Sequence, residues 1–231
     1  MTIVQLQNDP NSPFPAVSQA VIEPNGLLAW GGDLSPPRLL NAYRHGIFPW
    51  YNEGQPILWW SPRPRTIIYP ADIHISRRLK RRMRSGQFKI SADQAFQDVV
   101  KNCAQRREEG TWITLEMATA YEKLHQMGYA HSIEVWQDGV LAGGLYGLAI
   151  GKAFFAESMF SAVNDASKVA LVSLCGVLEE HDFAVIDCQL ETPHLMSMGA
   201  VNISRKQYIQ ILQRAIATEP STGSWQTWFR N

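Results

Sequence analysis

Between residues 131 and 190 the chain runs through three strand-like stretches, a helical stripe and a fourth such stretch, and the third and fourth are short apolar runs that each carry a carboxylate. Residues 131–136 alternate as a strand, Gln137-Asp138-Gly139 supplies a tight turn, and residues 140–148 run back with glycines at 143, 144 and 147. Ile150-Gly151-Lys152 turns the chain again into residues 154–161. Asn164 or Asp165 then caps a helix with Leu171, Leu174 and Leu178 on one stripe, and residues 184–190 form the next strand. The predicted order is β-β-β-α-β, an antiparallel meander followed by a helix and a strand. Strands this apolar bury their side chains, and burial normally excludes acids, so Glu157 and Asp187 need a reason to be there. On a regular strand Asp187 and Gln189 share one face, while Ile186, Cys188 and Leu190 take the other. A carboxylate and a carboxamide become neighbours, and the glycines of the second strand allow a ligand or another backbone to come close.

The formal net charge is zero, with 21 basic and 21 acidic residues, yet Arg77, Arg78, Lys80, Arg81, Arg82 and Arg84 put six cations into eight positions. Ser76 caps this run as a helix, Leu79 and Met83 supply a narrow inward stripe, and Gly86 stops it. A solvated face mixes both signs, whereas six cations without an acid repel one another, so the helix reads as a polyanion site. Nucleic acid fits better than an anionic membrane, because the apolar stripe is too thin to insert.

At 231 residues the chain is long for one domain and short for three. No window has the apolar length of a membrane span and the N-terminus lacks a secretory pattern, which places the chain in the cytoplasm. Cys103, Cys175 and Cys188 suit neither a disulfide framework nor a zinc site. Residues 1–25 read as irregular. Ser35 before Pro36 and Pro37 starts a helix that Gly46 ends. Residues 47–51 and 58–65 concentrate aromatics, which serve either as a seam between two domains or as a stacking surface for a nucleobase. Helices follow over 93–107 and 115–128, and Ser204 caps a last one, after which Trp225 and Trp228 fold back on the body.

Taken together, Gly-Ile-Phe-Pro-Trp (46–50), Leu-Trp-Trp-Ser-Pro (58–62), Glu-Gly-Thr-Trp-Ile-Thr (109–114), Glu-Ser-Met-Phe-Ser (157–161), Ala-Ser-Lys (166–168) and Ile-Asp-Cys-Gln (186–189) resemble the bacterial leucyl/phenylalanyl-tRNA–protein transferases. The resemblance implies an α+β protein, with a small N-terminal domain over 1–62 and an acetyltransferase-like (GNAT-type) domain over 63–231. The second domain would have a mainly antiparallel central sheet flanked by helices. It also implies transfer of leucine or phenylalanine, with methionine a further donor, from aminoacyl-tRNA to proteins that begin with arginine or lysine. Such transfer marks the acceptor for degradation by the N-end rule pathway. The enzyme would work as a monomer in the cytoplasm, without membrane, metal or cofactor.

By the same resemblance Asp187 and Gln189 are the catalytic pair and Glu157 a polar substrate contact. Trp50 and Trp112 are aromatics at the active site, and Leu145, Met159, Leu174, Leu178 and Ile186 line the pocket for the apolar amino acid. Ile186 alternates away from Asp187, so both serve one site only across a bulge. Ala156 and Thr192 stand where other members carry glycine and asparagine.

Two rivals are weaker. A coenzyme A-dependent acetyltransferase needs a glycine-rich turn to cradle pyrophosphate, and Ser161-Ala162-Val163-Asn164-Asp165-Ala166 has no glycine and an acid at the helix start. A tRNA-binding module without catalysis leaves Glu157, Asp187 and Gln189 unexplained.

Overall fold

The computed structural model describes residues 3–105, 113–218 and 223–229. The chain starts with β1 (Val4–Leu6), β2 (Leu27–Gly31), α1 (Pro36–Arg44), β3 (Phe48–Pro49) and β4 (Leu58–Trp60). These four strands make a small sheet of order β1-β2-β4-β3, in which β1 lies parallel to β2. The first 25 residues are therefore less irregular than their composition suggests. Three residues, two of them exposed, are too few to show a period.

The second sheet takes β5 (Arg65–Ile68), then α2 (Arg77–Arg84), β6 (Lys89–Ala92), α3 (Phe96–Gln105) and α4 (Leu115–Gln126). The meander follows as β7 (Ala130–Gln137), β8 (Val140–Ile150) and β9 (Ala153–Ser161), with α5 (Ala166–Glu180) and β10 (Val185–Gln189) after it. The chain ends with α6 (Pro193–Ser197), β11 (Val201–Ile203) and α7 (Arg205–Ile216). The seven strands are ordered β11-β5-β10-β9-β8-β7-β6, and every neighbouring pair is antiparallel except β9 with β10. This is the predicted β-β-β-α-β order within a mixed α+β protein. The short strands β5, β6 and β11 were not legible as strands, because three or four residues carry no alternation.

Apolar residues fill both faces of this sheet. On one side Tyr43, Phe96, Leu124, Phe155 and Tyr208 join α1, α3, α4 and α7 to it. On the other, Leu171, Leu174 and Leu178 of α5 meet Ile133, Phe154 and Trp225. Coverage on both faces explains why β7, expected to alternate, is buried along Ala130, His131, Ser132, Ile133, Glu134 and Val135. Its polar members are partnered: Glu134 accepts hydrogen bonds from Ser91 and Ser132, and His131 Nδ1 lies 3.0 Å from Asp93. Trp225 stacks on His131 at 4.0 Å, so the tail does fold back on the body. Among the described residues no helix is long and apolar enough to cross a membrane.

Candidate active site

Two bulges build the site. In the β8–β9 ladder Tyr146 faces Ser158 and Gly147 faces Ala156, which leaves Glu157 as the extra residue. Opposite it a Cβ on Gly147 would sit 2.1 Å from the Phe155 carbonyl oxygen, so that position tolerates only glycine. In β10 the register against β5 shifts between Asp187 and Gln189, and Gln189 takes φ 60°. A non-glycine residue in the left-handed region is uncommon and needs support. Asp187 provides it, since its Oδ1 accepts the Gln189 backbone N–H at 3.0 Å.

The shift leaves the expected faces intact: Ile186 and Cys188 pack into the core under α5, while the partners of Asp187 and Gln189 lead to Tyr208, Tyr43 and Tyr121 on the other side of the sheet. The bulge turns the Gln189 side chain towards Glu157, where its Nε2 donates to Glu157 Oε1 at 3.1 Å. Asp187 lies on the same face, deeper in the sheet, and is buried. Arg65 holds it as a fork, Nε to Oδ1 at 2.7 Å and Nη2 to Oδ2 at 2.6 Å, and the Tyr208 hydroxyl donates to Oδ2 at 2.6 Å. Arg65 is itself sandwiched between the rings of Phe48 and Tyr208. Its burial works to lower its pKa, but the charge of Asp187, together with Tyr208 and the hydrogen bonds to both, outweighs that and holds it above the ordinary value. Asp187 is therefore fully committed to its neighbours and does not line the cavity described next.

Glu157 has different partners. Tyr43 donates to its Oε1 at 2.8 Å and Tyr121 to its Oε2 at 2.7 Å, while the two hydroxyls meet at 2.5 Å. Burial pushes the Glu157 carboxyl up to about 7, against the pull of the two tyrosine hydrogen bonds. The same burial, with Glu157 beside them, holds both tyrosines well above their ordinary value, so they stay donors. A carboxylate only accepts, so the Gln189 amide nitrogen faces it and the amide oxygen is left for a ligand.

Glu157 and Gln189 open on a cavity of about 300 Å³. Phe48, Pro49 and Trp50 of the small sheet form one wall, Leu145 and Met159 another, and His194 and Leu195 of α6 a third. Trp50 is 41% exposed and leans on Trp60 at 5.7 Å. Thr192 caps α6 by accepting the Leu195 N–H. Burial, then the charge of Lys168, lowers the His194 pKa, so this imidazole is neutral at pH 7.

The structure gathers Trp50, Leu145, Glu157, Met159 and Gln189 round this one cavity. Leu174, Leu178 and Ile186 are fully buried in the core beside it and do not line it. Trp112 lies outside the described residues. Tyr43, Arg65, Tyr121 and Tyr208, which hold the two acids, were not singled out from the sequence. The signal for them was an arginine heading a strand otherwise apolar and tyrosines placed on inward helix stripes.

The basic run forms α2 as expected, with Ser76 accepting the Leu79 N–H and Leu79 buried. Arg77, Lys80, Arg81 and Arg84 are exposed on its outer side. Arg78 and Arg82 instead pair with Asp165 at 3.1 and 3.5 Å, and Lys168 reaches the same acid at 3.7 Å. Asp165 stands at the start of α5 but makes no side-chain cap, being occupied by these cations.

Comparison with known proteins gives the family of the chain. The family model described as leucyl/phenylalanyl-tRNA protein transferase matches residues 67–213, and the one for the N-terminal domain of the same proteins matches 32–63. The leucyl/phenylalanyl-tRNA–protein transferase of Stutzerimonas stutzeri is 55% identical over 92% of this chain and 95% of its own. That of Azoarcus sp. is 55% identical over 92% and 91%, and that of Nitrosomonas eutropha 53% over 94% and 95%.

Proposed function

Since the chain belongs to the leucyl/phenylalanyl-tRNA–protein transferase family, we propose that it moves leucine or phenylalanine from charged tRNA to the α-amino group of a protein beginning with arginine or lysine. Methionine is a third donor, and the reaction takes place in the cytoplasm on a single chain. The observation that carries this reading is the carboxamide of Gln189, held by a buried carboxylate in the lining of a mainly apolar cavity.

An aminoacyl ester is already activated, so the enzyme has to place it, take a proton from the attacking amine and let the ribose oxygen leave. The Gln189 amide oxygen accepts a hydrogen bond from the amine and orients its lone pair. Glu157, with its carboxyl at about 7, is matched to an α-ammonium whose ordinary pKa is about 7.7–8.0. It takes the amine proton and returns it to the departing ribose hydroxyl, which balances the reaction. Asp187 is a positioning residue that keeps Gln189 in its left-handed turn. Transfer of radiolabelled leucine from leucyl-tRNA to an arginine-starting peptide tests the reading, and no labelled peptide from folded protein would overturn it.

The donor side chain enters between Leu145 and Met159, which face each other across the β8–β9 ladder. An apolar pocket separates related side chains by about 1–3 kcal/mol per methylene, so the apolar donors compete within a modest range. Met159→Trp is expected to slow phenylalanine transfer more than leucine transfer, read as the ratio of kcat/KM for the two charged tRNAs. An equal effect on both donors would place the side chain elsewhere.

The outer face of α2 holds the tRNA by its phosphates, a reading supported by four exposed cations on two turns of helix. Replacing Arg77, Arg81 and Arg84 with glutamine is expected to weaken tRNA binding and to flatten its log–log salt dependence by roughly one unit per lost contact. Unchanged affinity across salt would remove this role from the helix.

A further inference from the structure

A second cationic surface lies where α7 begins. There Arg63, Arg205 and Lys206 wall a groove of about 780 Å³ over an apolar floor that includes Val17 and Ile209. Val17 and Ile209 also line an adjoining hollow of about 290 Å³, whose rim carries Arg44. Among the described residues no aspartate or glutamate lines either hollow. Arg44, Arg63 and Lys206 are exposed. Arg205 donates through Nη1 to the Val17 carbonyl at 2.6 Å, and its Nε and Nη2 have no acceptor among the described residues. Burial, then the like charges of Arg63 and Arg65, hold its pKa below the ordinary value. On α2, by contrast, two cations are already neutralised by Asp165. In a chain whose acids and bases balance, four cations facing adjoining hollows without an acid repel one another until an anion arrives.

We propose that this groove binds phosphodiester backbone and holds a second stretch of the donor tRNA, apart from α2. The inference rests on the reading of charged tRNA as donor. Cations spread along two adjoining hollows suit a ligand with repeating charges, and two of the walls are arginine forks of the kind that pair with phosphate oxygens. An acidic protein segment is the weaker occupant. Acceptors chosen by their first residue share no fixed cluster of acids further along.

The test is a variant with Arg44→Gln, Arg63→Gln and Lys206→Gln. Arg205 is kept, because it ties α7 to the N-terminal segment. Leucyl-tRNA affinity is measured by filter binding over a range of salt, and transfer is measured from both leucyl-tRNA and the minimal donor leucyl-adenosine, which carries no phosphodiester backbone. The expected result is a tenfold or greater loss of tRNA affinity at low salt and a log–log slope shallower by roughly two to three, with transfer from leucyl-adenosine unchanged. Wild-type affinity and slope would overturn the proposal. So would an equal loss with leucyl-adenosine, which would indicate damage to the active site, or a raised peptide KM with normal tRNA binding, which would give the groove to the acceptor protein. Because binding is read separately from transfer, a wild-type protein that binds tRNA through this groove yet transfers nothing would count against the proposed reaction alone.

Discussion

Glu157→Gln is expected to slow single-turnover transfer by roughly 10²–10⁴, the loss typical of a positioned proton-transfer group, while tRNA affinity stays near normal. The pH profile gives the sharper signature. The wild-type rate is expected to rise as pH passes about 7, where Glu157 ionises and becomes able to take a proton. A second limb near 8 belongs to the acceptor amine itself. The glutamine variant retains only that second limb. Stability moves in the opposite sense. A carboxyl raised to about 7 in the fold binds protons over a range where the unfolded chain has lost them. Its contribution is therefore fully present below the unfolded value and lost as pH rises through 7. Thermal denaturation of wild type and variant across pH 5–9 is expected to show that decline in the wild type and its absence in the variant. A variant that keeps both limbs and a near-normal rate would show that the amine sheds its proton to water, with Glu157 serving only to aim Gln189.

The amphipathic and capped parts of the chain were legible in the sequence. Ser76 and Ser204 each cap the helix that follows, and the meander, α5 and β10 come in the order their periodicity implied. Glu157 and Asp187 also stood out correctly, as acids in apolar strands. Alternation places Asp187 and Gln189 correctly on one face of β10. It fails in β9, where the extra residue Glu157 lets Ala156 and Met159, three apart, pack against the same core, a break that no period-two pattern conveys. Gly147 was the trace of the first bulge, since a side chain there would collide with Phe155. The second left no glycine, because Gln189 itself takes the left-handed turn. Long-range partners were likewise invisible. Arg65 meets Asp187 across 122 positions and Tyr43 meets Glu157 across 114, distances that no local pattern reports. Leu174 and Leu178 show the converse. Their helical stripe is real, but a stripe identifies a buried face and does not say whether a cavity or solid core covers it.

Asp187→Asn and Gln189→Ala are expected to fail in different ways. Gln189 is half-buried and its side chain hangs on one hydrogen bond to Glu157, so truncation leaves the fold intact. Transfer falls by roughly 10² or more because the amine is no longer oriented. Asp187 is gripped by Arg65 and Tyr208, and asparagine leaves the Arg65 guanidinium buried without its counter-charge. Breaking a buried pair from one side costs about 3–5 kcal/mol, so a large drop in melting temperature is expected for this variant. Its remaining folded molecules are the informative ones. Asparagine keeps one acceptor oxygen where aspartate has two, and Arg65, Tyr208 and the Gln189 N–H compete for it, which weakens the support for the left-handed turn of Gln189. Transfer per folded molecule, measured at low temperature with the folded fraction read by circular dichroism, is therefore expected to fall as far as in Gln189→Ala. The double variant is expected to be no slower than the worse single one, because both changes remove the same oriented amide. Normal transfer per folded Asp187→Asn molecule would confine Asp187 to stability. A double variant slower by the product of the two effects would mean that Asp187 acts on the reaction independently of Gln189.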